Sequence, residues 1–217
     1  MGMLIKAIIS DFDGTLVDSE SVYNKSLYIT SEKMNVLKNI NFESMSGLQT
    51  NDIFNILKKE GHYIPSNFFI ETEKIFYELL DTQLNVFDGV METLEKLKNL
   101  DIVIASNSNI DYVKRISNNK DISKYIKDYS CHNEQLKAKP NPDLFLYAFD
   151  LLKKYNNNLS KDDVLIFEDS LAGVEAAKKT YIKTVAITNT YSKKQLLEKG
   201  ADIVIDKIDE IFNYIEI

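Results

Sequence analysis

The chain has one cysteine, Cys131, so it can form neither an internal disulfide nor a multi-cysteine zinc cluster. Of its 26 basic residues only Arg115 is an arginine. An anionic ligand must therefore be held by lysines, backbone N–H groups or a metal, since bidentate guanidinium clamps are nearly absent. No apolar run reaches the ~18–20 residues that span a bilayer. There is no dense basic block, and the net charge is −7, which argues against a nucleic-acid-binding face. There is no internal repeat and no long Pro/Gly/Ser linker. The opening MGMLIKAIISDFDG lacks the cationic stretch, apolar block and small-residue site of a secretory signal, and Lys6 stands where a myristoylation signal wants Ser or Thr. These features predict a cytoplasmic protein with no nucleic-acid or membrane partner. What remains is ordinary globular material: 217 residues, 44% hydrophobic and 27% charged, enough for one domain or a core with a modest insertion.

The hydrophobic rhythm changes along the chain. Lys6-Ala7-Ile8-Ile9-Ser10 reads as a strand ending at Asp11. From Ser19 to about Leu84 the pattern is helical, with apolar residues at spacings of three and four over Ser19–Met34, Asn51–Glu60 and Ser66–Leu80. Gly61 sits where a helix-ending glycine belongs. Strands and helices then alternate. Gly89–Leu100, Asp111–Ser117, Pro142–Lys154 and Leu171–Lys179 read as helices; Ile102–Ala105, Val164–Phe167, Thr184–Ile187 and Asp202–Ile205 read as short apolar strands. That alternation predicts an α/β fold, a Rossmann-like parallel sheet covered by helices on both faces. The helical stretch after the first strand reads as an inserted cap. The expected division is a discontinuous core, residues 1–16 and 87–217, and a helical cap, residues 17–86.

In open α/β sheets the functional site lies beyond the carboxyl ends of the strands. The first strand runs into Asp11-Phe12-Asp13-Gly14-Thr15-Leu16-Val17-Asp18, and the second into Ser106-Asn107-Ser108. The strand at Val164 runs into Glu168-Asp169-Ser170, and a loop Lys137-Ala138-Lys139-Pro140-Asn141-Pro142-Asp143 lies between them. Converging carboxylates repel one another unless a cation joins them, and a hard divalent ion such as Mg²⁺ prefers oxygen ligands. A lysine and Ser106 could then hold phosphate oxygens. Each segment also has a plainer reading. Asp and Gly form turns after strands; Glu168 or Asp169 could cap the following helix; Lys137 competes with Lys139. His62, His132 and Cys131 lack any motif around them.

DFDGTLVD at 11–18, Ser106 after IVIA, KPNPD at 139–143 and EDSLAG at 168–173 appear in one order over nearly the whole chain. In these motifs the sequence resembles the haloacid dehalogenase superfamily, in the phosphatase and phosphomutase branch with a helical cap after strand one. The resemblance implies Asp11 as a nucleophile that forms an aspartyl-phosphate and Asp13 as general acid, then base. It implies phosphate binding by Ser106, Asn107 and Lys139. It also implies Mg²⁺ held by Asp11, the Asp13 backbone carbonyl and Asp169, with Glu168 at or near the metal. Gly47 becomes the candidate for substrate specificity.

Departures from the pattern narrow the activity. Beta-phosphoglucomutases usually carry an arginine three residues after the cap glycine, where this chain has Gly47-Leu48-Gln49-Thr50, and a lysine where it has Asn109. This favours an Mg²⁺-dependent phosphatase of a small phosphorylated metabolite, such as a sugar phosphate, over a sugar phosphomutase. Thr180-Tyr181 stands where relatives often place a glycine. A phospho-accepting signalling module is the non-enzymic alternative, but it would lack both the inserted cap and an acid two residues after the acceptor. Segment 17–86 holds ten acidic residues against six lysines, so a neutral, hydroxyl-rich leaving group is expected to be preferred over a second anionic group.

Overall fold

The computed structural model describes residues 2–46, 48 and 50–216; Gly47, the specificity candidate, lies outside the described residues. The chain divides into two compact units, residues 1–17 with 86–217, and residues 18–85. In chain order the elements are β1 (Met3–Leu4), β2 (Ala7–Ser10), α1 (Ser19–Met34), α2 (Thr50–Lys59), α3 (Phe68–Gln83), α4 (Val90–Lys96), β3 (Asp101–Ser106) and α5 (Ile110–Asn119). There follow β4 (Ile126–Cys131), α6 (Asp143–Tyr155), β5 (Val164–Glu168), α7 (Leu171–Lys178), β6 (Lys183–Ile187), α8 (Lys193–Lys199), β7 (Ile203–Ile205) and β8 (Ile215–Glu216).

The first unit is built on a six-stranded parallel sheet in the order β4-β3-β2-β5-β6-β7, and β1 pairs separately with β8. Every residue of β2 and β5 is buried, as a sheet covered on both faces requires. Ala7, Ile9, Val103, Ala105, Val164 and Ile166 form one core with Leu144, Phe145, Ala148, Leu151 and Leu152 of α6 and Ala176 and Ala177 of α7. β2 lies between β3 and β5, so the segments leaving these three central strands emerge side by side. Four elements go beyond the sequence reading: the two-residue strands β1 and β8, together with β4 and α8. β4, sequence IKDYSC, is an edge strand with a partly exposed, polar face, so it has no continuous apolar run. α8 is short and lysine-rich, and begins with a reciprocal Ser192–Gln195 capping box. The helix expected over Gly89–Leu100 ends at Lys96 and closes in turns, with Leu100 N–H donating to the Leu97 carbonyl at 2.8 Å.

The second unit is helical. Its core gathers Leu27, Leu37, Phe42, Met45, Ile53, Leu57 and Phe68; each large apolar side chain buried there contributes ~1.5–3 kcal/mol relative to exposure. α1 is held at its start by Asp18, whose carboxylate accepts the Ser21 N–H at 3.1 Å, and ends on left-handed Asn35. Its buried face is more polar than a three-and-four apolar spacing predicts, comprising Ser19, Asn24, Ser26, Thr30 and Ser31 beside Val22 and Leu27. The hydroxyls of Thr30 and Ser31 donate back to carbonyls one turn earlier, both at 2.8 Å, and the Thr72 hydroxyl of α3 bonds that of Thr30 at 3.1 Å. Burial without lost hydrogen bonds is what lets polar residues sit there. No helix among the described residues is long and apolar enough to cross a membrane.

Candidate active site

All the described candidate residues of the first unit, drawn from three strand ends and one loop, meet at the carboxyl edge of the sheet. Asp11 follows β2, and its backbone N–H extends the ladder to the Phe167 carbonyl at 2.9 Å. Its side chain meets Lys139, with Nζ donating to Oδ1 at 2.6 Å; the same ammonium donates to Glu168 Oε1 at 2.7 Å. Lys139 is 3% exposed and Glu168 fully buried. The competing Lys137 is exposed, its N–H bonded to Asp143. The Lys139–Pro140 peptide is cis. Asn107, expected on phosphate, directs Oδ1 to the backbone N–H of Lys139 at 2.8 Å and so fixes the lysine loop against β3.

Glu168 links two sides of the site. Its Oε2 accepts the N–H groups of Asp169 and Ser170 at 2.9 and 2.8 Å and the Ser170 hydroxyl at 2.9 Å. The helix cap is Ser170, whose Oγ accepts the Gly173 N–H at 2.9 Å, not either acid. Gly173 lies against this carboxylate so closely that a Cβ would overlap it. Asp169, 2% exposed, accepts the Thr15 hydroxyl at 2.8 Å on Oδ1 and the Thr190 hydroxyl on Oδ2. Asn189 Nδ2 donates to the Gly14 carbonyl at 2.8 Å. Gly14 has φ +81°, and its Cβ position is filled by the Asp169 carboxylate, so the turn after β2 needs glycine on both counts.

Asp13 has a different environment. Oδ1 accepts the Tyr112 phenol at 2.7 Å; Oδ2 accepts the Ser108 hydroxyl at 2.8 Å and a long contact from Ser106 at 3.5 Å. Ser106 Oγ in turn accepts the Ser108 N–H at 3.0 Å. Asn109 acts locally, its carboxamide oxygen capping α5 by accepting the Tyr112 N–H at 2.9 Å.

The electrostatics follow from burial. Desolvation raises the Asp11 carboxyl to about 7, with Lys139 opposing and Glu168 adding to the rise. Desolvation, then Glu168 and Asp11, push Asp169 well above the carboxylate range against the Thr190 and Thr15 hydroxyls. Burial alone would pull the Lys139 ammonium down, but Asp11 and Glu168 outweigh it and hold it above the ordinary lysine range. Asp11, Glu168 and Asp169 each offer a carboxylate oxygen, all within 4.8 Å of one another. Three buried acids share one lysine, so their full ionisation calls for a further cation, and an all-oxygen donor set of this kind suits a hard divalent one. The residue set therefore fits such an ion.

Thr15, Ser108, Tyr112, Asn189 and Thr190 have no role in the sequence reading. Asn189 and Thr190 follow β6, so extending the strand-end rule to the Thr184–Ile187 strand would have reached them. Nothing in the local sequence marks Tyr112, whose place depends on how α5 leaves β3.

The model of the haloacid dehalogenase-like hydrolase family matches residues 8–187. A phosphorylated carbohydrates phosphatase of Thermotoga maritima is 29% identical over 98% of this chain and 99% of its own length. A beta-phosphoglucomutase of Mycobacterium bovis is 28% identical over 61% of this chain and 52% of its own. The crystal structure of a haloacid dehalogenase-like protein of Agrobacterium tumefaciens, 24% identical, covers 96% of both chains with a TM-score of 0.81. Fold, strand-end acids and family match agree, and the chain belongs to the haloacid dehalogenase-like hydrolases.

Proposed function

We propose that this protein is an Mg²⁺-dependent phosphatase of small phosphorylated carbohydrates, working through an aspartyl-phosphate on Asp11. The observation that carries the reading is the pairing of one acid bound to a buried lysine, Asp11, with a second held by hydroxyls, Asp13. The near full-length similarity to a phosphorylated carbohydrates phosphatase supports the substrate class. In this reading residues 1–16 and 87–217 are the catalytic core, and 17–86 are the cap that selects the leaving group.

A carboxylate oxygen of Asp11 bonds to phosphorus as the bond from phosphorus to the sugar oxygen breaks. The Asp13 carboxyl gives its proton to that departing oxygen. Asp13, now a carboxylate, takes a proton from water as the water oxygen bonds to phosphorus and the Asp11–phosphorus bond breaks. Inorganic phosphate leaves and both acids return to their starting forms. Lys139 orients Asp11 with one N–H and is anchored by Glu168 with a second; an ammonium has three, so one remains for phosphate. Ser106 stands beside Asp13 as a phosphate donor. Asp11, the Asp13 carbonyl and Asp169 would hold Mg²⁺, with Glu168 beside them; the ion supplies charge neutralisation on the phosphate oxygens.

The test is a panel of phosphate esters assayed with Mg²⁺ and with chelator. A hexose monophosphate should be hydrolysed with higher kcat/KM than a hexose bisphosphate or phosphoglycolate, and chelation should abolish turnover. Asp11→Asn should retain the fold and lose turnover; retained turnover in that variant would refute the covalent role. The beta-phosphoglucomutase match supports a second reading: a hexose 1-phosphate would then yield a hexose 6-phosphate in place of free sugar and phosphate.

A further inference from the structure

We propose that Tyr112 is a positioning residue for Asp13, aiming its carboxyl group at the leaving oxygen. This rests on the acid–base role of Asp13 given above. Asp13 sits immediately before Gly14 in a sharp turn, so its backbone alone leaves the carboxyl free to rotate. Two short hydrogen bonds fix it, Tyr112 on Oδ1 at 2.7 Å and Ser108 on Oδ2 at 2.8 Å. Tyr112 is itself held. Its N–H is tied to the Asn109 cap at 2.9 Å, its side chain is 7% exposed, and its ring meets that of fully buried Phe12 edge-on, 6.2 Å between centroids and 83° between planes. Phe12 lies in sequence between Asp11 and Asp13. The aromatic contact therefore ties α5 to the short turn that carries both acids.

The chemistry of the partners supports the assignment. A carboxyl that gains a proton on one oxygen keeps lone pairs on both, so each oxygen can go on accepting while the acid proton faces the leaving oxygen. Tyr112 and Ser108 can therefore keep their contacts whether Asp13 carries its proton or has given it up, and the carboxyl does not move between the two halves of the cycle. Catalytic groups need such fixed geometry, because small misplacements cost large factors in rate.

The experiment compares Tyr112→Phe with the parent enzyme on two substrates, glucose 6-phosphate and p-nitrophenyl phosphate. The sugar oxygen leaves as a strongly basic alkoxide and needs the Asp13 proton; p-nitrophenolate is a weak base and leaves without it. kcat/KM reports the steps through formation of the phosphoenzyme, and the ratio of the two values cancels the amount of folded enzyme. Tyr112→Phe should lower the glucose 6-phosphate to p-nitrophenyl phosphate ratio about tenfold, a part of the ~10²–10⁴ that acid–base catalysis contributes. An unchanged ratio, or equal losses on both substrates, would overturn the positioning role. Asp13→Asn separates the two levels of the argument. It should lower the same ratio further; if it leaves the ratio unchanged, the acid–base reading of Asp13 fails. If only Asp13→Asn moves it, Asp13 stands and the Tyr112 proposal fails.

Discussion

Replacing Gly173 with alanine sets two effects of known size against each other. Alanine is the better helix former, by ~1 kcal/mol in a helix interior, and Gly173 lies inside α7. By propensity alone the variant would be more stable. Its Cβ, however, would occupy the space of the Glu168 carboxylate, meeting both oxygens and the carbon between them inside van der Waals contact. Glu168 must then turn away, leaving Lys139 with Asp11 alone and removing the acceptor from three donors at residues 169 and 170. Breaking a buried, hydrogen-bonded ion pair costs ~3–5 kcal/mol. The net is a loss of about 2–4 kcal/mol after the helix gain is subtracted, which lowers Tm by roughly 4–16 °C for a chain of this length. Thermal melts by circular dichroism, with and without Glu168→Ala in the same background, are the assay. With the glutamate gone, Gly173→Ala should become neutral or stabilising, because only the helix term remains. A Tm equal to or above the parent's in the Gly173→Ala single variant would refute the steric argument.

Three further outcomes are expected. Tyr181 has φ +61° and is 86% exposed; left-handed strain of ~1–2 kcal/mol exceeds the ~0.5–1 kcal/mol of its exposed contact with Lys161. Tyr181→Gly should therefore raise Tm by about 1–4 °C, and a fall would contradict the strain. Burial, then Asp13 and Asp11, push the Cys131 thiol up to about 12, so iodoacetamide at pH 8 should modify it far more slowly than the same residue in denatured protein; equal rates would show an accessible thiolate. Asp169→Asn should weaken Mg²⁺ binding in titration calorimetry while leaving the metal-free Tm unchanged or higher, because it relieves repulsion from Glu168 and Asp11; a large metal-free loss of Tm would assign Asp169 a structural role instead.

Where one interaction dominated a segment, the sequence was readable. The runs around Ile8, Ile104 and Leu165 are apolar because both faces of those strands are covered, and they stand out for that reason. Strand β4 was hidden because it lies at the sheet edge, where adjacent Lys127 and Asp128 interrupt any apolar run and only Ser130 and Cys131 are buried. Within the site, Asp11, Asp13, Glu168 and Asp169 are marked by their place at strand ends, whereas Lys139 is set apart from its neighbour Lys137 only by the family resemblance. Their division of labour is not marked. Lys139 and Glu168 form a pair only because β5 lies beside β2, a register that no local pattern encodes. Tyr112 reaches Asp13 across 99 residues of sequence, and its spacing looks like that of any half-buried helical aromatic.

The central position of β2 has a consequence for the chain while it is being made. Thr15 bonds Asp169 across 154 residues, and Asp11 meets Lys139 across 128. At ~5–20 residues per second, roughly 8–30 s pass between synthesis of the first strand's turn and of Asp169. During that interval β2 can pair with β3 on one side, but its other edge is bare, and the acids after it lack Glu168 and Asp169 even once Lys139 has been made. The acidic corner of the sheet thus closes only once β5 lies beside β2, late in a sequence whose first site acid, Asp11, came early.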